Sequence, residues 1–219
     1  HGKCIAGNSR VLLSDGAIQT AQEIFEEVSK NSEIYEDNED HTIYIPSKEL
    51  KIFSLNKDTN KIEQKQIKYV WRLRGGNTIK IHLRNGFEIN TTPEHKYLVF
   101  EDGLKFKEAK DLRLGDRVVC ANTAEFFWKE NKVIKEDYNL IPVLINNGET
   151  QSIQLMKSPY EDLSFVEISK IEVGFESVVY DFTVPETHNF IAEGMVIHNT
   201  ALTDNLLAAS GYMSTKAAG

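Results

Sequence analysis

Apolar and polar residues alternate over short stretches along most of the chain, and turn signals separate these stretches. Alternation with a period of two is typical of half-buried β-strands. Strands are expected from Arg10–Leu13 near the start to Met195–His198 near the end. Asn85–Gly86 is a strong hairpin signal between two of them, Thr78–Leu83 and Phe87–Asn90. The pattern therefore predicts an all-β body of many short strands.

Glycine, asparagine and aspartate mark the turns between the other expected strands. Gly75–Gly76 is predicted to turn the chain between two of these strands, and Lys107–Leu112 is predicted to form a single helical turn. The further expected strands are Lys51–Leu55, Ile62–Leu73, Tyr97–Phe100, Arg117–Cys120, Phe165–Val173, Val178–Val184 and Asn189–Ala192.

One helix interrupts the strand pattern near the start. The segment 20–23 has the form of a capping box, and Ile24, Phe25 and Val28 follow it at helical spacing. The next segment, residues 31–42, is strongly acidic. A solvent-exposed loop is the favoured interpretation of this run, with an acidic binding surface as the alternative.

Two segments depart from this pattern. Residues 121–163 mix aromatic, charged and turn residues without one period, which indicates an insert or satellite element. Residues 200–219 instead contain good helix formers with their leucines on one face, so a helix is predicted there. The composition changes abruptly after Asn199.

The composition and net charge of the chain argue against several classes of function. The chain has 219 residues, and its 25 basic against 33 acidic residues give a net charge of −8, which argues against nucleic acid as the main partner. No apolar run is long enough to span a membrane. The two cysteines cannot build a disulfide framework, and no metal-ligand spacing occurs. We therefore expect a cytoplasmic monomer that needs no cofactor and no metal.

The two ends of the chain complement each other. Joined, Gly2–Lys3 and Thr200 would give Gly-Lys-Thr at the start of a helix, which is the second half of a phosphate-binding loop. In such a loop the lysine reaches the phosphates and the threonine hydroxyl holds Mg²⁺. The short motif alone is weak evidence for such a loop. The residues next to the two junctions, Cys4 and Asn199, strengthen it.

Three blocks between the junctions carry a resemblance. In their order along the chain they resemble the blocks of an intein, a self-splicing protein insert, over residues 4–199, while the flanks resemble a translational GTPase of the elongation factor 2 class. The resemblance implies an all-β, horseshoe-like fold of the Hedgehog/intein type with one or two short helices. The blocks are Cys4–Ser9, Thr92–His95, and Val179–Val184 through His188–Ala192 to Val196–Thr200.

This resemblance also divides the chain. Residues 1–3 and 200–219 would be host segments, and residues 4–199 the splicing domain. Larger relatives carry a homing endonuclease where this chain has residues 121–163. The paired-helix signature of that nuclease is missing here, so we expect a mini-intein without nuclease activity.

For the first junction, the resemblance implies attack of the Cys4 thiol on the Lys3 carbonyl. Replacing an amide by a thioester is uphill, so the amide must be held and activated. Thr92 and His95 are the candidates. A histidine that titrates near neutrality can stabilise the tetrahedral intermediate and protonate the departing nitrogen, and the threonine hydroxyl can hydrogen-bond to the same amide.

For the second junction, the acyl group would pass to the Thr200 hydroxyl, a hindered nucleophile that needs a base. Asp181 is the candidate base or orienting group, although an acid in a strand can also simply pair with a cation. Asn199 would then cyclise to a succinimide and release the insert. His198 can polarise the carbonyl or protonate the leaving group, and His188 can assist the nucleophile. The resulting ester would rearrange to a Lys3–Thr200 peptide bond.

Four alternatives remain at this point. The chain could be a GTPase fragment that binds nucleotide itself, although the two halves of its loop lie at opposite ends. It could be a cysteine hydrolase that uses Cys4 and His95 and does not need Asn199. It could be an autoprocessing domain that only cleaves, or a conditional splicing switch that controls a host translation GTPase. Cys120 is interpreted as structural, although a disulfide with Cys4 would silence splicing under oxidation.

Overall fold

A computed structural model describes residues 3–122 and 138–199, and β-strands dominate both ranges. They contain one α-helix, α1 (Ala21–Ser29), and one 3₁₀ turn (Ala109–Asp111). The strands are β1 (Ile5–Ala6), β2 (Arg10–Leu12), β3 (Ile18–Thr20), β4 (Glu33–Asp37), β5 (His41–Ile45), β6 (Lys51–Asn56), β7 (Lys61–Gln66), β8 (Tyr69–Leu83), β9 (Glu88–Thr91), β10 (Lys96–Phe100), β11 (Leu104–Glu108), β12 (Arg117–Ala121), β13 (Leu140–Asn146), β14 (Gln151–Lys157), β15 (Leu163–Thr183), β16 (Asn189–Ala192) and β17 (Met195–His198).

Two long strands organise the main sheet. β15 first pairs with β12, and from Ile168 onwards it pairs antiparallel with β8 as far as the Thr183–Tyr69 pair. The sheet order is β3-β2-β16-β17-β10-β12-β15-β1-β9-β8-β5-β4, with β11 paired to β10. β15 therefore links the half of the sheet that holds β17 to the half that holds β1. The all-β prediction is confirmed.

The prediction of a turn at Gly75–Gly76 is wrong, because both glycines lie inside β8. A Cβ atom on Gly75 would lie 1.8 Å from the backbone oxygen of Glu176, so this glycine serves close strand approach rather than chain reversal. The expected break between Val173 and Val178 is also missing, since β15 runs through it. Two long paired strands thus replace four of the expected short ones.

The first and last strands, β1 and β17, belong to the same sheet. β1 lies between β15 and β9, with Ile5 opposite both Tyr180 and Thr91. At the other end of the domain, β17 pairs with β16 and with β10. The bounds predicted for β16 and β17 are confirmed.

The helix begins as the sequence predicts. Thr20 is its N-cap, and its hydroxyl accepts the Glu23 amide proton and donates to the Glu23 carboxylate. The acidic run that follows is not a loop, however, because residues 33–37 form β4 beside β5. Ile34 and Tyr35 favour an extended edge strand whose charged side chains face solvent, so the predicted exposure is confirmed and the predicted loop is wrong.

The segment predicted as an insert is only partly described. It begins at the end of β12, and its described part contains the β13–β14 hairpin, whose second strand is exposed along its length. The 3₁₀ turn at Ala109–Asp111 confirms the expected helical turn. The helix predicted within residues 200–219 lies outside the described ranges. Among the described residues there is no helix with the length and apolar character needed to cross a bilayer.

Candidate active site

The amino-terminal junction is fixed by two strands that flank β1. Continuing the β1 registers by one residue places Cys4 opposite Asp181 on β15 and opposite Thr92, just beyond β9. The Cys4 amide donates to the Thr92 hydroxyl at 2.9 Å, and the Thr92 amide donates to the Cys4 carbonyl at 2.9 Å. The nitrogen of the Lys3–Cys4 bond is therefore held by the hydroxyl that the sequence indicated.

The Cys4 side chain is buried and protonated at neutral pH. Burial, and after it the negative charge of Asp181, raise the pKa of the Cys4 thiol well above its ordinary value. Asp181 is itself fully buried, and its Oδ1 accepts the Phe182 amide proton at 2.9 Å. A thiol in this setting needs a base to become a nucleophile, and the Asp181 carboxylate is near enough to act on it electrostatically.

His95 lies between the two junctions. Its amide donates to the Thr92 carbonyl at 3.1 Å, which closes a tight turn, and its ring packs edge-on against Tyr97 with centroids 6.1 Å apart. Neither ring nitrogen has a hydrogen-bond partner of ordinary geometry among the described residues, but the backbones of Cys4 and His198 are close enough to raise its pKa. One imidazole therefore faces the backbone of Cys4 and that of His198, which lie near opposite ends of the chain.

Burial makes this imidazole neutral. It lowers the pKa of His95 to about 3, with a smaller contribution in the same direction from His198. The expectation that His95 titrates near neutrality is therefore wrong, because the side chain is completely buried. A neutral imidazole still offers one N–H donor and one nitrogen acceptor, so it can move a proton without carrying a charge.

The carboxyl-terminal junction is held by the loop before β16. Asn199 is fully buried, and its amide donates to the His188 carbonyl at 2.9 Å. Its side-chain oxygen accepts the Val184 amide proton at 3.3 Å. His188 has a left-handed backbone, with φ of 55°, in the turn that presents this carbonyl. These bonds orient the Asn199 side chain, whose amide nitrogen is the group expected to attack.

His198 lies on β17 beside this junction. Its ring stacks on His188 with centroids 6.5 Å apart and meets Phe106 edge-to-face at 5.0 Å. Burial, and after it the positive charges of Lys57 and Lys96, lower the pKa of His198 to about 4. Like His95, this imidazole is neutral at pH 7.

The structure brings the predicted residues together in two adjoining groups that share His95. The partly exposed Lys3 lies near both, since its charge lowers the pKa of His95 and of His198. Gly2 and Thr200 lie outside the described ranges. No cluster of three His, Cys, Asp or Glu side chains able to hold a metal ion occurs in the part of the chain that is described.

Sequence reasoning did not find the residues that surround these groups. Tyr97 packs against His95 and bonds to Thr91 through its hydroxyl at 2.7 Å, while Phe106 packs against His198. Tyr97 is the first residue of the expected strand Tyr97–Phe100, two residues after His95, and this closeness in sequence is a usable signal. Phe106 reaches its partner only through the pairing of β11, β10 and β17, which no local pattern shows.

The amino-acid sequence is similar to those of known proteins. The family model for the intein splicing domain matches residues 11–199. Elongation factor 2 of Methanopyrus kandleri is 35% identical over 122 residues, which are 55% of this chain and 10% of that protein. A probable translation initiation factor IF-2 of Methanocaldococcus jannaschii is 47% identical over 57 residues, or 26% of this chain and 5% of that protein.

A solved structure shares the fold. The TvoVMA intein superposes with a TM-score of 0.67 at 20% identity, covering 91% of this chain and 99% of the intein. By contrast, the chain spans only 10% and 5% of the two curated relatives. The likeness to the intein structure extends over nearly the whole of both chains.

Proposed function

This chain belongs to the intein splicing domain family, whose members excise themselves from a host protein by autocatalytic splicing. We propose that Cys4, Thr200 and Asn199 react in that order. The observation that carries the proposal is the position of His95, whose buried ring faces the backbones of Cys4 and His198. A single neutral imidazole can then serve reactions at both junctions. Splicing needs linked reactions at both junctions, whereas simple hydrolysis needs a reaction at only one.

In the first step the Cys4 sulfur attacks the Lys3 carbonyl carbon. A carbon–sulfur bond forms, the Lys3–Cys4 amide bond breaks, and a proton moves from sulfur to the Cys4 nitrogen. Asp181 accepts the thiol proton and the neutral His95 ring donates its own proton to the departing nitrogen. The proton held by Asp181 then passes to the ring, so both groups return to their starting forms. The Thr92 hydroxyl fixes that nitrogen, as its 2.9 Å bond to the Cys4 amide supports.

In the second step the Thr200 hydroxyl attacks the thioester. A carbon–oxygen bond forms and the carbon–sulfur bond breaks, so the proton of the hydroxyl ends on the Cys4 sulfur. Asp181 is the base for this transfer, because the carboxylate already lies beside the sulfur. The product is a branched ester.

In the third step the Asn199 side-chain nitrogen attacks its own backbone carbonyl. A succinimide forms, the Asn199–Thr200 bond breaks, and one proton moves from the attacking to the leaving nitrogen. The neutral His198 ring can accept this proton on one nitrogen and donate from the other. His188 holds the Asn199 backbone, and the freed ester rearranges to a Lys3–Thr200 peptide bond.

The test is intact mass spectrometry of the purified chain, incubated with and without reductant over a temperature series. We expect the precursor to give an excised insert of residues 4–199 and a product that joins residues 1–3 to 200–219. Cys4→Ala should leave cleavage at Asn199 only, and Asn199→Ala should leave thiol-induced cleavage at Cys4 only. Cleavage at both junctions without ligation would instead support the alternative that this domain only autoprocesses.

We further propose that the joined product restores the phosphate-binding loop of a translation GTPase. Both curated relatives described above are translation factors, and Gly2–Lys3 followed by Thr200 gives the loop's Gly-Lys-Thr. The spliced host would bind GTP, Mg²⁺ and the ribosome in the cytoplasm, whereas the precursor, with the loop interrupted, would not bind GTP productively. Splicing would then switch the host on. Nucleotide affinity in the precursor equal to that of the spliced host would contradict this.

A further inference from the structure

A cation, a phenyl ring and an imidazole contact one another in sequence beside the carboxyl-terminal junction. Lys57 follows β6 in the β6–β7 turn, and its Nζ lies 4.7 Å from the centroid of the Phe106 ring. Phe106 in turn meets the His198 ring edge-to-face at 5.0 Å with an interplanar angle of 80°. These contacts connect the exposed Lys57 ammonium group to the ring of the residue that precedes Asn199.

The turn that carries Lys57 is anchored to the strand next to His198. Asn189 is fully buried, and its side-chain amide accepts from the Leu55 amide at 2.7 Å and donates to the Leu55 carbonyl at 2.9 Å. The Ser54 hydroxyl adds a bond to the Asn189 carbonyl at 2.7 Å. Asn189 is also the register partner of His198 across β16 and β17. The β6–β7 hairpin therefore has a fixed position relative to His198.

We propose that Lys57 and Phe106 are positioning residues for cleavage at Asn199, in which Phe106 orients the His198 ring and the charge of Lys57 disfavours protonation of that ring. The inference rests on the role proposed above for His198. A proton relay between the Asn199 amide and the leaving nitrogen requires the neutral ring, because the imidazolium has no free nitrogen to accept.

The charges around His198 agree with this assignment. Lys57 from the β6–β7 turn, Lys96 from β10, Lys3 from the amino-terminal junction and His188 from the loop before β16 all disfavour its protonation. Lys57 is the largest of these charge effects. Because Lys57 is exposed, its effect should be screened by salt, which separates it from the effect of burial.

The experiment uses two backgrounds of the full chain. Cleavage at Asn199 is followed by mass spectrometry in the Cys4→Ala chain across pH 3.5–8, and the His198 ring is titrated by NMR in the Cys4→Ala, Asn199→Ala chain, which cannot cleave. We expect Lys57→Gln to raise both the acid midpoint of the rate and the NMR midpoint by about 0.3–0.5 pH unit, the size expected for a screened surface charge. Salt at about 1 M, where the Debye length is only ~3 Å, should remove the difference.

Matched variants control for other causes. Lys57→Arg keeps the cation over Phe106 and should keep the midpoint, and so should Lys48→Gln, which removes the same charge from an exposed residue that does not act on His198. Phe106→Leu should lower the cleavage rate about tenfold at every pH, while Phe106→Tyr, which retains the ring, should restore it. A merely structural role for Lys57 would change the rate without moving either midpoint.

Three results would contradict the inference in different ways. If Lys57→Gln and Lys48→Gln give the same NMR midpoint, Lys57 does not set the protonation of His198. If His198→Ala cleaves at Asn199 as fast as its parent, the proposed role of His198 is wrong, and this failure leaves the NMR comparison unaffected. Cleavage that accelerates as pH falls through the NMR midpoint would show that the imidazolium, and not the neutral ring, is the active form.

Discussion

The completely buried His95 predicts how the stability of the domain depends on pH. Its pKa is lowered from 6.5 to about 3 in the folded protein, so below pH 6.5 the unfolded chain binds a proton that the folded chain excludes. The stabilising contribution is therefore complete above pH 6.5 and is lost as the pH falls towards 3.

The magnitude follows from this difference in pKa. Each pH unit between the two pKa values corresponds to about 1.4 kcal/mol. Between pH 8 and pH 5 the folded domain should lose about 2 kcal/mol of unfolding free energy through His95 alone. A loss of this size is a large fraction of the stability of a typical domain.

The assay is urea unfolding at pH 8 and pH 5, followed by fluorescence of the buried Trp71. The chain should carry Cys4→Ala and Asn199→Ala so that neither junction is cleaved. Adding His95→Gln replaces the ring by a polar side chain that does not titrate, so this variant should lose about 2 kcal/mol less than its parent over the same interval. His198 titrates in both chains and cancels from the comparison. If the two chains lose stability in parallel, to within about 0.5 kcal/mol, the burial argument for His95 fails.

Two further predictions concern the amino-terminal junction and the long strands. In an Asn199→Ala background, Thr92→Ala should slow thiol-induced cleavage at Cys4 about tenfold, whereas Thr92→Ser should cleave at nearly the parent rate, because the bond to the scissile nitrogen needs only a hydroxyl. Equal cleavage rates in Thr92→Ala and its parent would count against this role of Thr92. Gly75→Ala should lower the free energy of unfolding by about 3 kcal/mol, since its Cβ would meet a backbone oxygen at 1.8 Å, whereas Gly76→Ala, with open space around its Cβ, should cost less than about 1 kcal/mol in thermal unfolding.

Local chemistry explains which features the sequence could predict. The Thr20 cap, the Asn85–Gly86 turn and strands β16 and β17 depend on residues close in the chain, and each is confirmed. The positions of the candidate groups could be expected for a different reason. Their blocks resemble those of inteins, and the fold brings Cys4, His95 and Asn199 into one site.

Features set by distant partners could not be predicted in this way. Gly75 has the local signature of a turn, but its role depends on the approach of β15 from far along the chain. The acidic β4 becomes a strand because β5 pairs with it. The neutrality of His95 likewise depends on burial, which its sequence neighbours do not show, and the Lys57–Phe106 contact requires β6 and β11 to meet in space.

The shared contact of Cys4 and His198 with one imidazole has a consequence for the host protein. The two ends of the splicing domain are held close together. For the host chain, the folded domain is therefore equivalent to a loop whose ends are already closed. Closing a loop whose ends are already adjacent adds little further entropic cost. A domain whose two ends lie together leaves the attached host segments close to each other, and this is the arrangement that ligation needs.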